Sequence, residues 1–184
     1  TVDCGTNNFG FNTAYTLDAV AFCPPGGTVN LYGAAITNAC TNVTYRWEKN
    51  EGSGWASIGT TQNMTNVSVT ETTEFRRVVI VGGTDQCTPS TSITATVHDL
   101  PADRPMTGPF EICIEKGAVE AGGTYGIGGA VTGETYYWQV SAAYGRIDGP
   151  TDQPTVGAIW TTETTAADQA WIQVTITDGN GCQR

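Results

Sequence analysis

The sequence is poor in cationic side chains and holds a single histidine. Lys and Arg together number 8 against 18 Asp and Glu, which gives a formal net charge of −10 at pH 7. A nucleic-acid-binding protein carries a basic stripe or patch, and the few cations here are scattered. His98 has no Ser, Cys or Asp partner at a recognisable spacing, so we read it as a surface residue at a strand end. We therefore expect no nucleic-acid partner and no enzymatic activity.

Long apolar runs and helical patterns are also missing. No apolar run approaches the roughly 20 residues of a membrane span, so we expect no membrane insertion. No apolar period of 3.6 residues lasts for more than about two turns. Thr, Gly, Val and Ala dominate while Leu, Lys and Met are scarce, which favours strands over helices. No signal peptide is present, so Thr1 is read either as a mature N-terminus or as a cut through a longer chain.

Six cysteines are present, a high number for a chain of small β-domains. They indicate disulfide bonds and an oxidising, extracellular compartment. The less favoured interpretations are buried free thiols and metal ligation, since no Cys-x-x-Cys occurs.

One pattern occurs twice along the chain. It consists of an aromatic pair that ends in Trp and lies between two cysteines, and the spacings are nearly equal in the two copies. In chain order the copies are Cys23, Tyr45-Arg46-Trp47 and Cys87, then Cys113, Tyr136-Tyr137-Trp138 and Cys182. A recurrence of about 90 residues predicts two copies of one domain type. Each copy predicts a β-sandwich with its Trp, Trp47 or Trp138, in the core. The repeat selects the disulfides Cys23–Cys87 and Cys113–Cys182, which leaves Cys4–Cys40 or an intermolecular Cys4.

The repeat also divides the chain. We expect an N-terminal extension over 1–22, a first sandwich over 23–99 and a second over 110–184. The segment 100–109 contains three prolines and is predicted to be a stiff linker. The second sandwich is predicted to lack its last strand, because only Gln183 and Arg184 follow Cys182.

The first domain closely resembles the immunoglobulin-like repeats of very large secreted surface proteins of Bacteroidota-type bacteria. The matching positions are Tyr45, Trp47, Gly52, Trp55, Thr72, Thr73, Phe75, Arg76, Arg77, Val78, Val79 and Cys87. The second domain resembles the related PKD-like repeat at Tyr136, Trp138, Gly145, Ile147, Trp160, Val174, Gly181 and Cys182. Cys4, Cys40 and the first 22 residues depart from the family pattern.

The resemblance implies an all-β fold of two tandem immunoglobulin-like (PKD-like) β-sandwich domains with disulfides. It also implies export to the cell surface, as in adhesins and gliding-associated filaments. We therefore expect a structural or adhesive segment whose partners are other copies of itself or adjacent repeats. The alternative is a carbohydrate-binding module of a secreted enzyme, which would bind surface glycans.

The sequence offers candidate residues for two kinds of ligand site, one for a sugar and one for Ca²⁺. Trp55, Tyr144, Trp160 and Trp171 would suit a sugar-stacking platform, although core or edge positions are favoured for all but the outward Trp171. Loops with Asp148, Asp152 and 178–181 would suit Ca²⁺, but ordinary turn chemistry is favoured, so we expect no cofactor. Arg76 and Arg77 are adjacent on a strand and are expected to point to opposite faces.

The edge of the segment 170–177 is predicted to accept a strand. We hypothesise that Thr1, Val2 and Asp3 of a neighbouring copy pair with this edge, at Trp171, Gln173 and Thr175. Repeated head-to-tail pairing would then build an open filament. The rival hypothesis is that the chain's own following residues supply the strand.

Overall fold

The computed structural model describes residues 15–33, 43–81, 83–87, 92–113, 120–161 and 170–184. These residues contain fifteen strands and no helix, which confirms the predicted all-β fold. The chain divides into two compact units, Thr1–Asp99 and Leu100–Arg184. The division lies at the start of the predicted linker.

The described residues of the first unit form nine strands in two sheets. In chain order they are β1 (Tyr15–Leu17), β2 (Ala21–Phe22), β3 (Gly27–Gly33), β4 (Val43–Asn50), β5 (Ala56–Gly59), β6 (Met64–Val69), β7 (Thr73–Val81), β8 (Thr84–Cys87) and β9 (Ile93–Val97). One sheet has the order β1-β3-β6, and the other has the order β2-β9-β7-β4-β5 with β8 beside β7.

The core of the first unit follows from alternation along its strands. In β3, Val29 and Leu31 are fully buried, while Tyr32 is exposed between buried neighbours. The buried apolar cluster consists of Val29, Leu31, Trp47, Val69, Phe75 and Ala95. Burial of each large side chain stabilises the fold by roughly 1.5–3 kcal/mol relative to exposure.

The first strands correct the predicted extension over 1–22. β1 pairs antiparallel with β3, and β2 pairs in parallel with β9 in the other sheet. Residues 15–22 therefore contribute two strands to the first unit. Both strands are too short to show the alternation by which a strand is recognised in sequence. Residues 1–14 lie outside the described part of the chain.

Where the structure describes the second unit, it contains six strands. They are β10 (Met106–Thr107), β11 (Ala121–Ile127), β12 (Thr135–Val140), β13 (Gly145–Asp148), β14 (Thr155–Trp160) and β15 (Ile172–Thr177). One sheet has the order β10-β11-β14-β13, and β12 pairs with β15 in the other. β10 lies inside the predicted linker but pairs with β11, and Met106 packs on the core. The predicted linker therefore contributes a strand to this unit.

The last residues of the chain form a hairpin with β15. Gly181 N–H donates to Asp178 O at 3.0 Å, which closes the turn. Ile176 and Arg184 then exchange two backbone hydrogen bonds of 2.9 and 3.0 Å, and Thr177 is bridged to Gln183. Gln183 and Arg184 therefore pair with the edge of β15 through an isolated bridge, and no strand is assigned to them in the described part of the chain.

Candidate functional site

The two repeated Trp side chains occupy equivalent environments. Trp47 on β4 is 0% exposed and Trp138 on β12 is 1% exposed, so their predicted core positions are confirmed. Trp47 Nε1–H donates to Gln62 O at 3.3 Å, and Trp138 Nε1–H donates to Gln153 O at 2.8 Å. In both cases the acceptor lies 15 residues after the Trp. The two units therefore satisfy the buried indole donor in the same way.

The cysteines correct one predicted pair. Cys23 and Cys182 are both disulfide-bonded, whereas Cys113 is an exposed free thiol. The prediction Cys113–Cys182 is therefore wrong. Its basis was spacing along the chain, but a disulfide needs two Cα atoms within about 7 Å of each other. Cys4, Cys40 and the side chain of Cys87 lie outside the described residues, so Cys23–Cys87 and Cys4–Cys40 stay predictions.

Arg76 anchors a charged cluster on the outer face of β4 and β7. Its Nε donates to Glu48 Oε2 at 2.7 Å, while Arg46 Nε donates to Glu48 Oε1 at 2.8 Å. The guanidinium of Arg76 lies 4.0 Å from the ring centroid of Trp55. One face of the Trp55 ring is therefore covered by the arginine and is not free to stack on a sugar.

Arg77 points to the opposite face, as alternation predicted, and it is fully buried. Its guanidinium carbon lies 4.6 Å from the ring centroid of Tyr45 and 5.8 Å from that of Trp47. A Cβ atom added to Gly33 would lie 1.9 Å from Arg77 Nη1. The end of β3 therefore requires glycine, because the arginine fills the space beside it.

Arg104 and Glu134 form a second shielded ion pair, with 7% of each side chain exposed. Glu134 also accepts hydrogen bonds from the Tyr136 hydroxyl at 2.9 Å and from Val131 N–H at 3.2 Å. The Arg104 hydrogen bond, ahead of those from Tyr136 and Val131, holds the pKa of Glu134 below its ordinary value. All these partners belong to the second unit, so the pair has a structural role there.

The other three aromatic candidates, Tyr144, Trp160 and Trp171, have different environments. Trp160 is half-buried, donates to the Tyr125 hydroxyl at 3.0 Å and meets that ring edge-on. Tyr144 is half-buried in the turn after β12. Trp171 is 46% exposed, in agreement with its expected outward register. Tyr137, which is not among the predicted candidates, is 56% exposed. Its position between two inward residues would have identified it.

Trp171 and Tyr137 lie on one sheet face. In the β12–β15 ladder Tyr137 is opposite Thr175, and Gln139 is opposite Gln173. Ser141 N–H donates to Trp171 O at 3.0 Å, which extends the same pairing by one step. We call the outward set Tyr137, Gln139, Trp171 and Gln173 the aromatic–amide face.

The edge of β15 presents different residues from those predicted. Because Ile176 exchanges its backbone hydrogen bonds with Arg184, the backbone groups of Val174 and Ile172 face the same edge. The N–H groups of Gln173 and Thr175 face β12 instead. No strand in the described residues pairs with Ile172 or Val174 on that edge. The proposed donors Thr1, Val2 and Asp3 lie outside the described part.

The candidate calcium loops show turn hydrogen bonding. Asp178 Oδ1 accepts hydrogen bonds from the N–H groups of Asn180 at 2.8 Å and Cys182 at 2.9 Å. Asp152 Oδ1 accepts from the Gln153 side chain at 3.3 Å, and Asp148 is exposed at the end of β13. In the described ranges no group of three or more His, Cys, Asp or Glu side chains could hold a metal ion.

No protein-family model matches the chain, and no curated protein matches it. Within the described ranges, no helix is long and apolar enough to cross a membrane.

Proposed function

We propose that the chain is a structural and adhesive segment of an exported bacterial cell-surface protein, a disulfide-stabilised rod or filament subunit. The observation that carries the proposal is that both units repeat one construction around a buried Trp. Trp47 on β4 and Trp138 on β12 are both buried, and each donates to a backbone carbonyl 15 residues later. Tandem repetition of a small domain extends a chain through nearest-neighbour contacts and needs no catalytic pocket.

The strand order supports an immunoglobulin-like assignment. In such sandwiches strands A, B, E and D form one sheet, and C, F and G form the other. The order β10-β11-β14-β13 corresponds to A-B-E-D, and β12 with β15 then corresponds to C with F. In the first unit, β3 with β6 corresponds to B with E, and β4, β7 and β9 correspond to C, F and G. Gln183 and Arg184 occupy the place where a G strand begins.

The disulfides and ion pairs support a location outside the cytosol and a mechanical role. Disulfides persist in oxidising compartments, and Cys23 and Cys182 are both bonded. A disulfide typically stabilises a small domain by about 2–4 kcal/mol. Glu48 also joins strands β4 and β7 through Arg76. These features stabilise the domains against unfolding and proteolysis.

For assembly, we propose that a strand from the N-terminal segment of a neighbouring copy pairs with the edge of β15. The backbone groups of Val174 and Ile172 are oriented toward that edge. At the next position along the edge, Arg184 is already hydrogen-bonded to Ile176. An edge strand with unpaired amides is a template for another chain. The rival source is a continuation of the same polypeptide.

The test is the oligomeric state of the purified, oxidised chain, measured by light scattering and electron microscopy as concentration rises. We expect filaments from the parent chain and monomers from a chain lacking residues 1–8. Val174→Pro should also give monomers, because it removes an N–H that faces the edge and not β12. Gln173→Ala, on the same strand, is the matched control. If the chain lacking residues 1–8 assembles as well as the parent chain, the N-terminal segment of a neighbouring copy does not donate the strand.

A second candidate is the carbohydrate-binding module of a secreted enzyme. The specific observation in its favour is the exposure of Trp171 and Tyr137 on one face. A module of that kind would bind glycans as a monomer, without assembly through β15.

A further inference from the structure

The aromatic–amide face exposes two large rings that contribute little to the core. Tyr137 is 56% exposed and Trp171 is 46% exposed, while their sequence neighbours Trp138 and Ile172 pack inward. Single exposed aromatics are ordinary on protein surfaces. Aromatic residues are enriched at interaction sites, and two on one sheet face with polar groups between them make this face a candidate for one. A structural segment does not require this arrangement.

The ladder fixes the spacing of the two rings. Tyr137 is opposite Thr175, which follows Trp171 by four positions, so the rings are separated by roughly 13 Å along the strand. The side chains of Gln139 and Gln173, which are opposite each other, lie between them. Trp171 N–H donates to Ser141 Oγ at 3.2 Å, and its carbonyl accepts from Ser141 N–H at 3.0 Å. The start of β15 is thus held in place before any ligand binds, which lowers the entropic cost of binding.

The chemistry of the face selects its ligand. Its four side chains are uncharged, and the whole chain carries a net charge of −10, so an anionic ligand would be repelled. Glutamine side chains both donate and accept hydrogen bonds, as sugar hydroxyls do. Aromatic rings offer a flat apolar surface to the apolar face of a sugar ring. A protein partner would favour a central pocket that a side chain fills, whereas this surface is an open two-stranded ribbon.

We infer that the aromatic–amide face binds a neutral, extended polysaccharide, with one sugar stacked on Trp171, another on Tyr137, and hydroxyls between them bonded to Gln139 and Gln173. The polysaccharide lies along β15 across the outer side of the sheet. This inference rests on the second candidate function, for which it names the ligand class and the binding residues. It goes beyond the structural role and does not depend on filament formation.

The test is affinity electrophoresis of the full chain in gels containing hydroxyethyl cellulose, xylan or mannan, with alginate as the anionic control. We expect retardation by at least one neutral polysaccharide and none by alginate. Trp171→Ala and Tyr137→Ala should each weaken binding about tenfold, and the double variant should abolish it. Tyr32→Ala is the matched control, because Tyr32 is 45% exposed in the first unit. Circular dichroism of each variant checks that the fold is intact.

Three results would overturn the inference: no retardation by any neutral polysaccharide, binding that survives the double variant, or an equal loss in Tyr32→Ala. If the chain binds no polysaccharide but self-associates in a Trp171-dependent manner, the face is a protein interface and the inference is wrong. Retention of binding by Val174→Pro separates this site from the strand-accepting edge.

Discussion

Gly33→Ala should destabilise the first unit through its contact with Arg77. The added Cβ would lie 1.9 Å from Arg77 Nη1 and 2.4 Å from its Cζ, which is closer than atoms approach without a shift. The guanidinium is fully buried and lies against the rings of Tyr45 and Trp47, so it must break that packing to move away. Overpacking of this kind costs about 1–3 kcal/mol, and we expect about 2 kcal/mol here.

Amide hydrogen exchange measured by mass spectrometry follows both units in one experiment. Peptides from β4 and β7 report on the first unit, and peptides from β12 and β15 report on the second. A loss of about 2 kcal/mol speeds exchange of the most protected amides of the first unit about thirtyfold. Exchange in the second unit should not change, so it serves as the internal control.

Two further variants test whether the contact with Arg77 causes the destabilisation. Gly128→Ala adds a methyl group where nothing lies within 4 Å, so it should leave exchange unchanged. In an Arg77→Met background, which lacks the guanidinium, Gly33→Ala should cost much less than in the parent chain. If Gly33→Ala destabilises the parent chain and the Arg77→Met chain equally, the assignment of the clash to Arg77 is refuted. Unchanged amide exchange in β4 and β7 of the Gly33→Ala chain would refute it as well.

Three other predictions concern the cores, the thiols and the acid response. Trp47→Ala and Trp138→Ala should each destabilise their unit by roughly 3–5 kcal/mol in denaturant unfolding, and a loss under about 1 kcal/mol would contradict the buried geometry. A maleimide should label Cys113 without reductant, and peptide mapping should find Cys23 and Cys182 labelled only after reduction; an unlabelled Cys113 would show that it is bonded. Because its pKa is lowered on folding, Glu134 stabilises the second unit fully above the ordinary Glu value of 4.5, and this contribution is lost as pH falls through the lowered pKa. Glu134→Gln should therefore flatten the acid dependence of unfolding of this unit, and an unchanged acid profile would show that the ion pair contributes nothing.

The sequence predicted features that depend on local pattern. Alternation around Trp47 and Trp138 was enough to place both in the core, and it placed Arg76 and Arg77 on opposite faces. The same alternation predicts that Tyr137 points outward, because it lies between the inward residues Tyr136 and Trp138. Tyr137 was not among the predicted ligand-binding residues. β1, β2 and β10 have only two or three residues each, so they carry no period by which a strand is recognised.

Features that depend on distance in space were harder to predict. The spacing of Cys113 from Trp138 matched that of Cys23 from Trp47, yet Cys113 is a free thiol on the surface. A spacing fixes neither the direction of a side chain nor the separation of two Cα atoms. The contact of Gly33 with Arg77 likewise joins strands β3 and β7, which are distant in the chain. Nothing in the local pattern around either residue predicts it.

The two proposed activities of β15 use different atoms of the same strand, so they can be separated by mutation. In an antiparallel ladder the backbone groups of alternate residues point to opposite edges. Ile172, Val174 and Ile176 therefore direct their N–H and C=O groups to the outer edge, as the bonds from Ile176 to Arg184 show. Trp171 and Gln173 bond to the β12 side and place their side chains on the outer face, where Gln173 is opposite Gln139. A strand that pairs with the edge would leave that face open, so a filament built in this way would repeat the aromatic–amide face once per subunit. Such repetition would let a weak single site act through avidity on a long polysaccharide.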